Sequence, residues 1–274
     1  MDKYFEVFGA NLSAPDIRDY KIAKSEISNE FPESFELRMP PVKNQGQVSS
    51  CVAHSLATIV EYYEGLQDEP TGNPMSVGYI YGNRTLMRSK GMFMRAAMAT
   101  LCAEGTVYHA EFPYNEEVPK ILDMVEAAKP DLASKALVHR PTAYIKVKSE
   151  KEIKTALMKG MPVTVSIKWY KFSIDKNGVM HRDTTSKPGL HCVTIYGWNK
   201  DGWKLQNSWG TYWGINGCAI YPYEYKFQES YAIADCFTAD ITAIQQPFTK
   251  CKWFTSIWNK LYAIYNIIKY NLTF

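Results

Sequence analysis

No Cys-x-x-Cys pair, basic block, phosphate-binding loop or zinc-protease motif occurs in this sequence of 274 residues. The cysteines lie far apart, at 51, 102, 192, 218, 236 and 251. No cluster of cysteines and histidines has zinc-ligand spacing, so neither metal nor other cofactor is expected. With one cysteine set aside as a nucleophile, five remain, an odd number that opposes a fully paired disulfide framework. A net charge of +3 without a basic block gives no reason to expect nucleic acid as a partner. The opening residues, Met-Asp-Lys-Tyr-Phe-Glu-Val-Phe, lack the apolar core and small-residue cleavage site of a secretory signal. A reducing, intracellular compartment is therefore expected, with the glycosylation-type triplets at Asn11, Asn83 and Asn271 as chance matches.

What is present has globular proportions, 46% hydrophobic and 22% charged residues, in a chain long enough for one large domain or two lobes. Seven tryptophans and 19 tyrosines suit a cleft walled by aromatic rings. Residues 1–30 carry turn chemistry without a sustained period, the pattern of a strap along the domain or a short pro-like segment over a site. Phe31 to Pro41 reads as extended, punctuated by prolines. From Cys51, apolar residues at Val52, Leu56, Ile59, Val60 and Tyr63 follow the spacing of one buried helix face, with Gly65 as the stop. A second helix, marked by Met94, Ala97, Met98 and Leu101, ends at Gly105, and a third, at 121–128, ends at Pro130.

Beyond residue 138 the character changes. Strands are expected at 143–147, 163–167, 191–196, 203–206 and 217–221, with a hairpin turn at Asn177-Gly178. A helix at 150–159 has Ile153, Leu157 and Met158 on one side. The fold class is therefore α+β, with an N-terminal extension (1–30), a helix-rich unit (31–138) and a strand-rich unit (139–250). Lysines and asparagines interrupt the amphipathic stretch 251–274 and oppose a transmembrane span. That tail is expected to dock on a monomeric protein, with contact to a membrane surface as the alternative.

Ser49 and Ser50 are favoured N-cap residues, which places Cys51 in a first helical turn, where backbone N–H groups and the helix dipole favour a thiolate. A thiol hydrolase also needs an imidazole to share the proton, a group to orient that imidazole, and donors for the oxyanion. Of the five histidines, His191 opens a strand after a Pro-Gly turn, an edge from which a ring can face a cleft. Asn207 further along can accept from one ring nitrogen and leave the other facing Cys51. His54, one turn after Cys51, reads as a hydrogen-bonded core histidine. Cys192 adjoins His191 but points to the opposite face of its strand, away from the chemistry.

Taken in order, Val42-Lys43-Asn44-Gln45-Gly46 ahead of Ser50-Cys51, then His191, then Asn207-Ser208-Trp209-Gly210-x-x-Trp213-Gly214, resemble the papain family of cysteine peptidases (cathepsin-like), and Asp16-Ile17-Arg18-Asp19-Tyr20 is similar to the N-terminal segments of its microbial and viral branch. The likeness runs from Phe31 to Tyr221. It implies a papain-like two-lobe fold, a helical lobe and an antiparallel β-barrel-like lobe with the cleft between them. It implies Cys51 as nucleophile, His191 as general acid and base, and Asn207 as the orienting partner. The Gln45 side chain and the Cys51 N–H would hold the oxyanion, and Trp209 would cover the His191–Asn207 bond. Ser49, Gly91, Met92, Ser166, Leu190 and Trp209 would meet substrate. Leu190, Ser166 and Met92-Phe93 would wall the second specificity pocket, a composition that suits an apolar side chain. The implied activity is hydrolysis of peptide bonds in proteins or peptides through a thioester acyl-enzyme. Removal of isopeptide-linked modifiers, acyl transfer, and an inactive binding protein on the same scaffold are the alternatives.

The departures are also informative. Val48-Ser49-Ser50-Cys51-Val52 stands where the family has Cys-Gly-Ser-Cys-Trp. Half of a common disulfide is thus absent, which fits a cytoplasmic or virion setting, and Ser49 crowds the cleft edge. A long inhibitory propeptide is not expected from the residues ahead of Phe31, and residues 1–30 are expected to block the cleft in part.

Overall fold

A computed structural model describes residues 8–17, 19–67, 73–85, 90–115 and 129–235. The helix expected at 121–128, the tail at 251–274, and Cys236 and Cys251 lie outside them.

Helix α1 (Cys51–Gln67) lies between the two halves of the molecule. The sequence pattern predicts one buried face, but every residue from Cys51 to Val60 is buried. The reason is that α1 has neighbours on several sides. Apolar residues Val52, Leu56 and Ile59 share a core with α2 (Val77–Gly82) and α3 (Met94–Glu104). Small polar residues meet the sheet, where Ser55 Oγ lies 2.8 Å from both Thr164 Oγ1 and Thr194 Oγ1. Gly65 lies inside the helix, not past its end. The α3 pattern is borne out, with Met94, Ala97, Met98 and Leu101 all buried and Gly105 as the C-cap at φ 73°. Residues 129–136 form a helical stretch, α4, that contains Pro130, so that proline ends no helix there.

The second half is built on β4 (Ala143–Lys146), β5 (Val163–Trp169), β8 (Gly189–Asn199), β9 (Gly202–Gln206), β10 (Cys218–Tyr221) and β11 (Phe227–Ala234). These run in the order β10–β9–β8–β5–β11–β4, all neighbours antiparallel, and β2 (Phe35–Glu36) adds to β8 as a seventh strand. The hairpin β6 (Lys171–Ile174) and β7 (Met180–Asp183) turns at Asn177-Gly178, with Gly178 at φ 84°. Helix α5 (Glu150–Met158) opens on a capping box between Ser149 and Glu152 and buries Ile153 and Leu157. Met158, expected on the same side, is 44% exposed because it falls at the last turn. Trp169, Trp198 and Leu205 anchor the core of this half.

One short strand does not follow the sequence pattern. β1 (Ala10–Asn11), within the N-terminal segment, pairs in parallel with β3 (Met92–Phe93), Ala10 opposite Met92.

Candidate active site

Strand register sets the site. His191, near the start of β8, lies opposite Ile167 on β5, and Cys192 lies opposite Ser166, which in turn faces Glu229 on β11. Cys51 starts α1, which packs on β8, and its sulfur accepts the backbone N–H of Cys192. The thiol therefore rests against the residue that follows His191.

His191 is fully buried, with Nε2 2.7 Å from Asn207 Oδ1. The same Oδ1 accepts the Ser208 N–H at 2.8 Å, which fixes the amide so that its oxygen faces the ring. Nε2 therefore carries the hydrogen, and Nδ1, with no hydrogen bond among the described residues, is the basic nitrogen. The Trp209 ring lies 4.8 Å from the imidazole at 34°, and Trp169 meets it edge-on at 4.9 Å. Trp209 was legible in its motif, whereas nothing near Trp169 in the sequence marks it.

The electrostatics differ from the expectation of a thiolate at a helix start. Burial pushes the Cys51 thiol up to about 11, although N–H groups of Cys192, Gly9, Val52 and Cys51 itself pull the other way. Burial also lowers His191 to about 4 against the opposing effect of Asn207. Desolvation outweighs the helix dipole, and in this closed arrangement the pair is a neutral thiol and a neutral imidazole.

Gln45 is held by Ser208, Val48 and Tyr114. Its N–H donates to Ser208 O at 2.8 Å, and its Oε1 accepts from Ser208 Oγ at 2.6 Å. Its Nε2 donates to Val48 O at 2.9 Å, and its carbonyl accepts from Tyr114 Oη at 2.9 Å. Pro113-Tyr114 reads in the sequence as a turn that suits the family's helical lobe, with no site role given to the phenol, and Ser208 adjoins Asn207 in the motif.

The N-terminal segment passes directly over these groups. The Phe8 ring meets His191 edge-on at 6.2 Å and lies where a side chain at Gly189 would be, since a Cβ there would come within 2.1 Å of it. The Gly9 N–H donates to the Cys51 sulfur, and the Gly9 carbonyl accepts from Met92 N at 2.8 Å. A Cβ on Gly9 would stand 2.1 Å from the Ser49 carbonyl oxygen, and one on Gly91 would stand 2.4 Å from that of Gly9. Ser49, Gly91 and Met92 therefore line a groove that this chain's own backbone fills. Ser166 Oγ is buried without a partner among the described residues, and Leu190 is half-buried against the α1 core.

Further along, Ser13 N donates to Glu229 Oε1 at 2.9 Å. Arg95 grips Asp19 through Nε and Nη2, both at 2.7 Å, and also reaches the Ala14 carbonyl. Lys146 Nζ adds a contact to Asp19 Oδ2 at 3.3 Å.

A family model described as papain family cysteine protease matches residues 31–238. The viral cathepsin of Adoxophyes honmai nucleopolyhedrovirus is 27% identical over 205 residues, covering 71% of this chain and 58% of its own. An uncharacterized peptidase C1-like protein of Acanthamoeba polyphaga mimivirus is 23% identical over 206 residues, 69% of this chain and 66% of its own. The chain thus spans from 58% to 66% of the length of these curated relatives. Among solved structures, xylellain, a cysteine protease from Xylella fastidiosa, superposes with a TM-score of 0.70 at 24% identity, over 83% of this chain and 96% of that one. A proCathepsin B from Trypanosoma congolense gives 0.62 at 18% identity, over 83% and 86%. At these identities the likeness is one of fold, the papain-like α+β arrangement.

Proposed function

Because this chain belongs to the papain family of cysteine proteases, we propose that it hydrolyses peptide bonds in proteins or peptides through a thioester on Cys51. The observation that carries this reading is His191, held through Nε2 by Asn207 with Nδ1 unengaged, beside the residue whose N–H touches the Cys51 sulfur. His191 Nδ1 takes the thiol proton as the sulfur attacks the substrate carbonyl carbon. The oxygen, now carrying the negative charge, accepts from the Cys51 N–H, which lacks an acceptor within the first turn, and from the Gln45 side-chain amide. His191 then gives its proton to the leaving amine as the C–N bond breaks. In the second half it removes a proton from water, which attacks the thioester and returns the thiol. Asn207 keeps the ring in the tautomer that both halves need.

Residues 8–19 act as a plug in this reading. Along the strap, Gly9 at the sulfur precedes Ala10 and Asn11 at Met92-Phe93. A substrate filling the second specificity pocket would place its earlier residues at Met92-Phe93 and the later, scissile one at Cys51. The strap therefore runs in the reverse sense, and it offers the sulfur an N–H where cleavage requires a carbonyl. A site so occupied is latent.

The test is labelling with an epoxide thiol probe followed by mass mapping, in the full chain and in full-length Gly9→Val, whose added side chain cannot fit against Ser49. Labelling of Cys51 in Gly9→Val that vanishes with His191→Ala, together with cleavage of a peptide library, is expected. A Gly9→Val protein that neither labels at Cys51 nor cleaves any peptide overturns the reading.

A further inference from the structure

The two donors assigned to the oxyanion, the Gln45 side chain and the Cys51 N–H, sit on one short segment, and one phenol touches that segment near both ends. Tyr114 Oη lies 2.9 Å from the Gln45 carbonyl and 2.7 Å from Oγ of Ser50, the residue just before Cys51. We propose that Tyr114 is a positioning residue that sets both oxyanion donors from a single hydroxyl. This rests on the reading of Cys51 and Gln45 given above.

The direction of each bond follows from donor chemistry. A carbonyl only accepts, so the Tyr114 hydrogen goes to Gln45 O, and Ser50 Oγ donates to the phenol oxygen. His54 Nδ1, 3.1 Å from the Ser50 carbonyl, then carries a hydrogen and donates to it. The imidazole and phenol rings meet edge-on at 5.0 Å, which restrains the phenol from turning away. The result is a one-way chain from Ser50 Oγ through Tyr114 to Gln45, with the His54 ring as an edge-on neighbour.

Tyr114 matters because, beyond the ties of Gln45 to Val48 within its own segment, it joins Gln45 to the helical side that carries Cys51. The Gln45 N–H and Oε1 are both bound by Ser208, in the turn after β9 of the strand-rich half. Tyr114 belongs to the 112–115 turn and packs on the α1 core, the helical side that carries Cys51. Without the phenol hydrogen bond, Gln45 keeps its ties to Ser208 and Val48 and loses the one that joins it to Ser50, the residue before Cys51. Donors to an oxyanion act only when placed before the charge forms, so small shifts cost rate and not substrate binding.

The experiment measures kcat and KM on a fluorogenic peptide amide, in full-length Gly9→Val so that the cleft is open. Tyr114→Phe, Gln45→Ala and the double variant are compared in that background. Tyr114→Phe is expected to lower kcat about tenfold with KM unchanged, less than loss of a direct donor. On top of Gln45→Ala the same change should cost about threefold or less, because its target is already gone. Ser50→Ala, which removes the second partner of the phenol, should lower kcat in the same manner and to a smaller degree. Hydrolysis unchanged by Tyr114→Phe, a rise in KM in place of a fall in kcat, or an equal loss with and without Gln45 would each overturn the positioning role. Absence of hydrolysis in the Gly9→Val parent itself would overturn the functional reading on which it stands.

Discussion

His191 on β8 and His54 on α1 belong to the two halves of the molecule, and burial acts on both in the same way. Both rings are buried, and desolvation lowers His191 to about 4 and His54 to about 3. They differ in what their nitrogens touch. His191 spends Nε2 on an oxygen that can only accept and leaves Nδ1 without a partner. His54 spends Nδ1 on the Ser50 carbonyl of its own helix, 3.1 Å away, and stacks edge-on against Tyr114. The contrast teaches that a depressed imidazole near a thiol is not by itself a base. The unengaged nitrogen decides: His191 Nδ1 has no partner among the described residues, whereas the backbone of both Ser50 and Asn44 acts on the His54 ring.

The largest expected effect breaks that comparison from the His191 side. His191→Ala should lower kcat/KM on a peptide amide on the order of ten-thousandfold, since proton transfer in both half-reactions passes through this ring. A loss of tenfold or less, measured with the strap displaced by Gly9→Val, would mean that another base serves Cys51.

The strap should control the pH at which the thiol reacts. With residues 8–13 in place, the thiolate forms only as pH rises towards about 11, so alkylation by iodoacetamide should climb steadily with pH in the native chain. Gly9→Val admits water and allows the proton to pass to His191. Alkylation near neutral pH should then rise on the order of a hundredfold, and its pH dependence should flatten. Equal profiles for the two proteins would separate the strap from the thiol. Arg95→Ala, which leaves the cleft untouched and removes the grip on Asp19 and Ala14, should give roughly tenfold faster alkylation through a larger open population.

How much of this was legible in the sequence depended on whether the signal was local. The α3 helix, the hairpin at Asn177-Gly178 and strands β5 and β8 follow from periodicity and turn chemistry confined to a few residues. Cys51, His191, Asn207 and Gln45 stand in three short blocks, each recognisable alone. Tyr114 and Trp169 reach the same site through contacts across the fold, Tyr114 to Gln45 and Trp169 to His191. Nothing beside Trp169 in the chain signals it, and Pro113-Tyr114 reads as a turn of the helical lobe without a sign of the site. The strap lies between these cases. Its irregular composition allowed a segment over a site, but its parallel pairing and the Gly9 N–H on the sulfur depend on Gly91, Gly189 and Ser49 being nearby in space. The thiolate expected at the start of α1 failed for the same reason, because a local dipole argument cannot include a covering segment from elsewhere.

The smallest effect on catalysis, and the sharpest use of the comparison, comes from His54→Phe. Phenylalanine keeps an aromatic edge for Tyr114 and leaves the Ser50 carbonyl with its helical partner, the backbone N–H of residue 54 at 3.0 Å. The Ser50–Tyr114–Gln45 contacts do not pass through this ring, so kcat/KM should stay within about threefold of the parent. Acid stability should change more. An unfolded chain protonates its histidines below about 6.5, whereas the folded protein holds His191 neutral down to about 4 and His54 to about 3. Between those values the unfolded state binds more protons, so folding stability declines as pH falls. The decline is about 2 kcal/mol for each ring between pH 6.5 and pH 5. His54→Phe removes one of the two contributions, and the fall in urea midpoint over that range should shrink by about half. An undiminished fall would mean that His54 is not held neutral. A large loss of turnover in a folded protein would mean that the two rings are not as different as their hydrogen bonds make them.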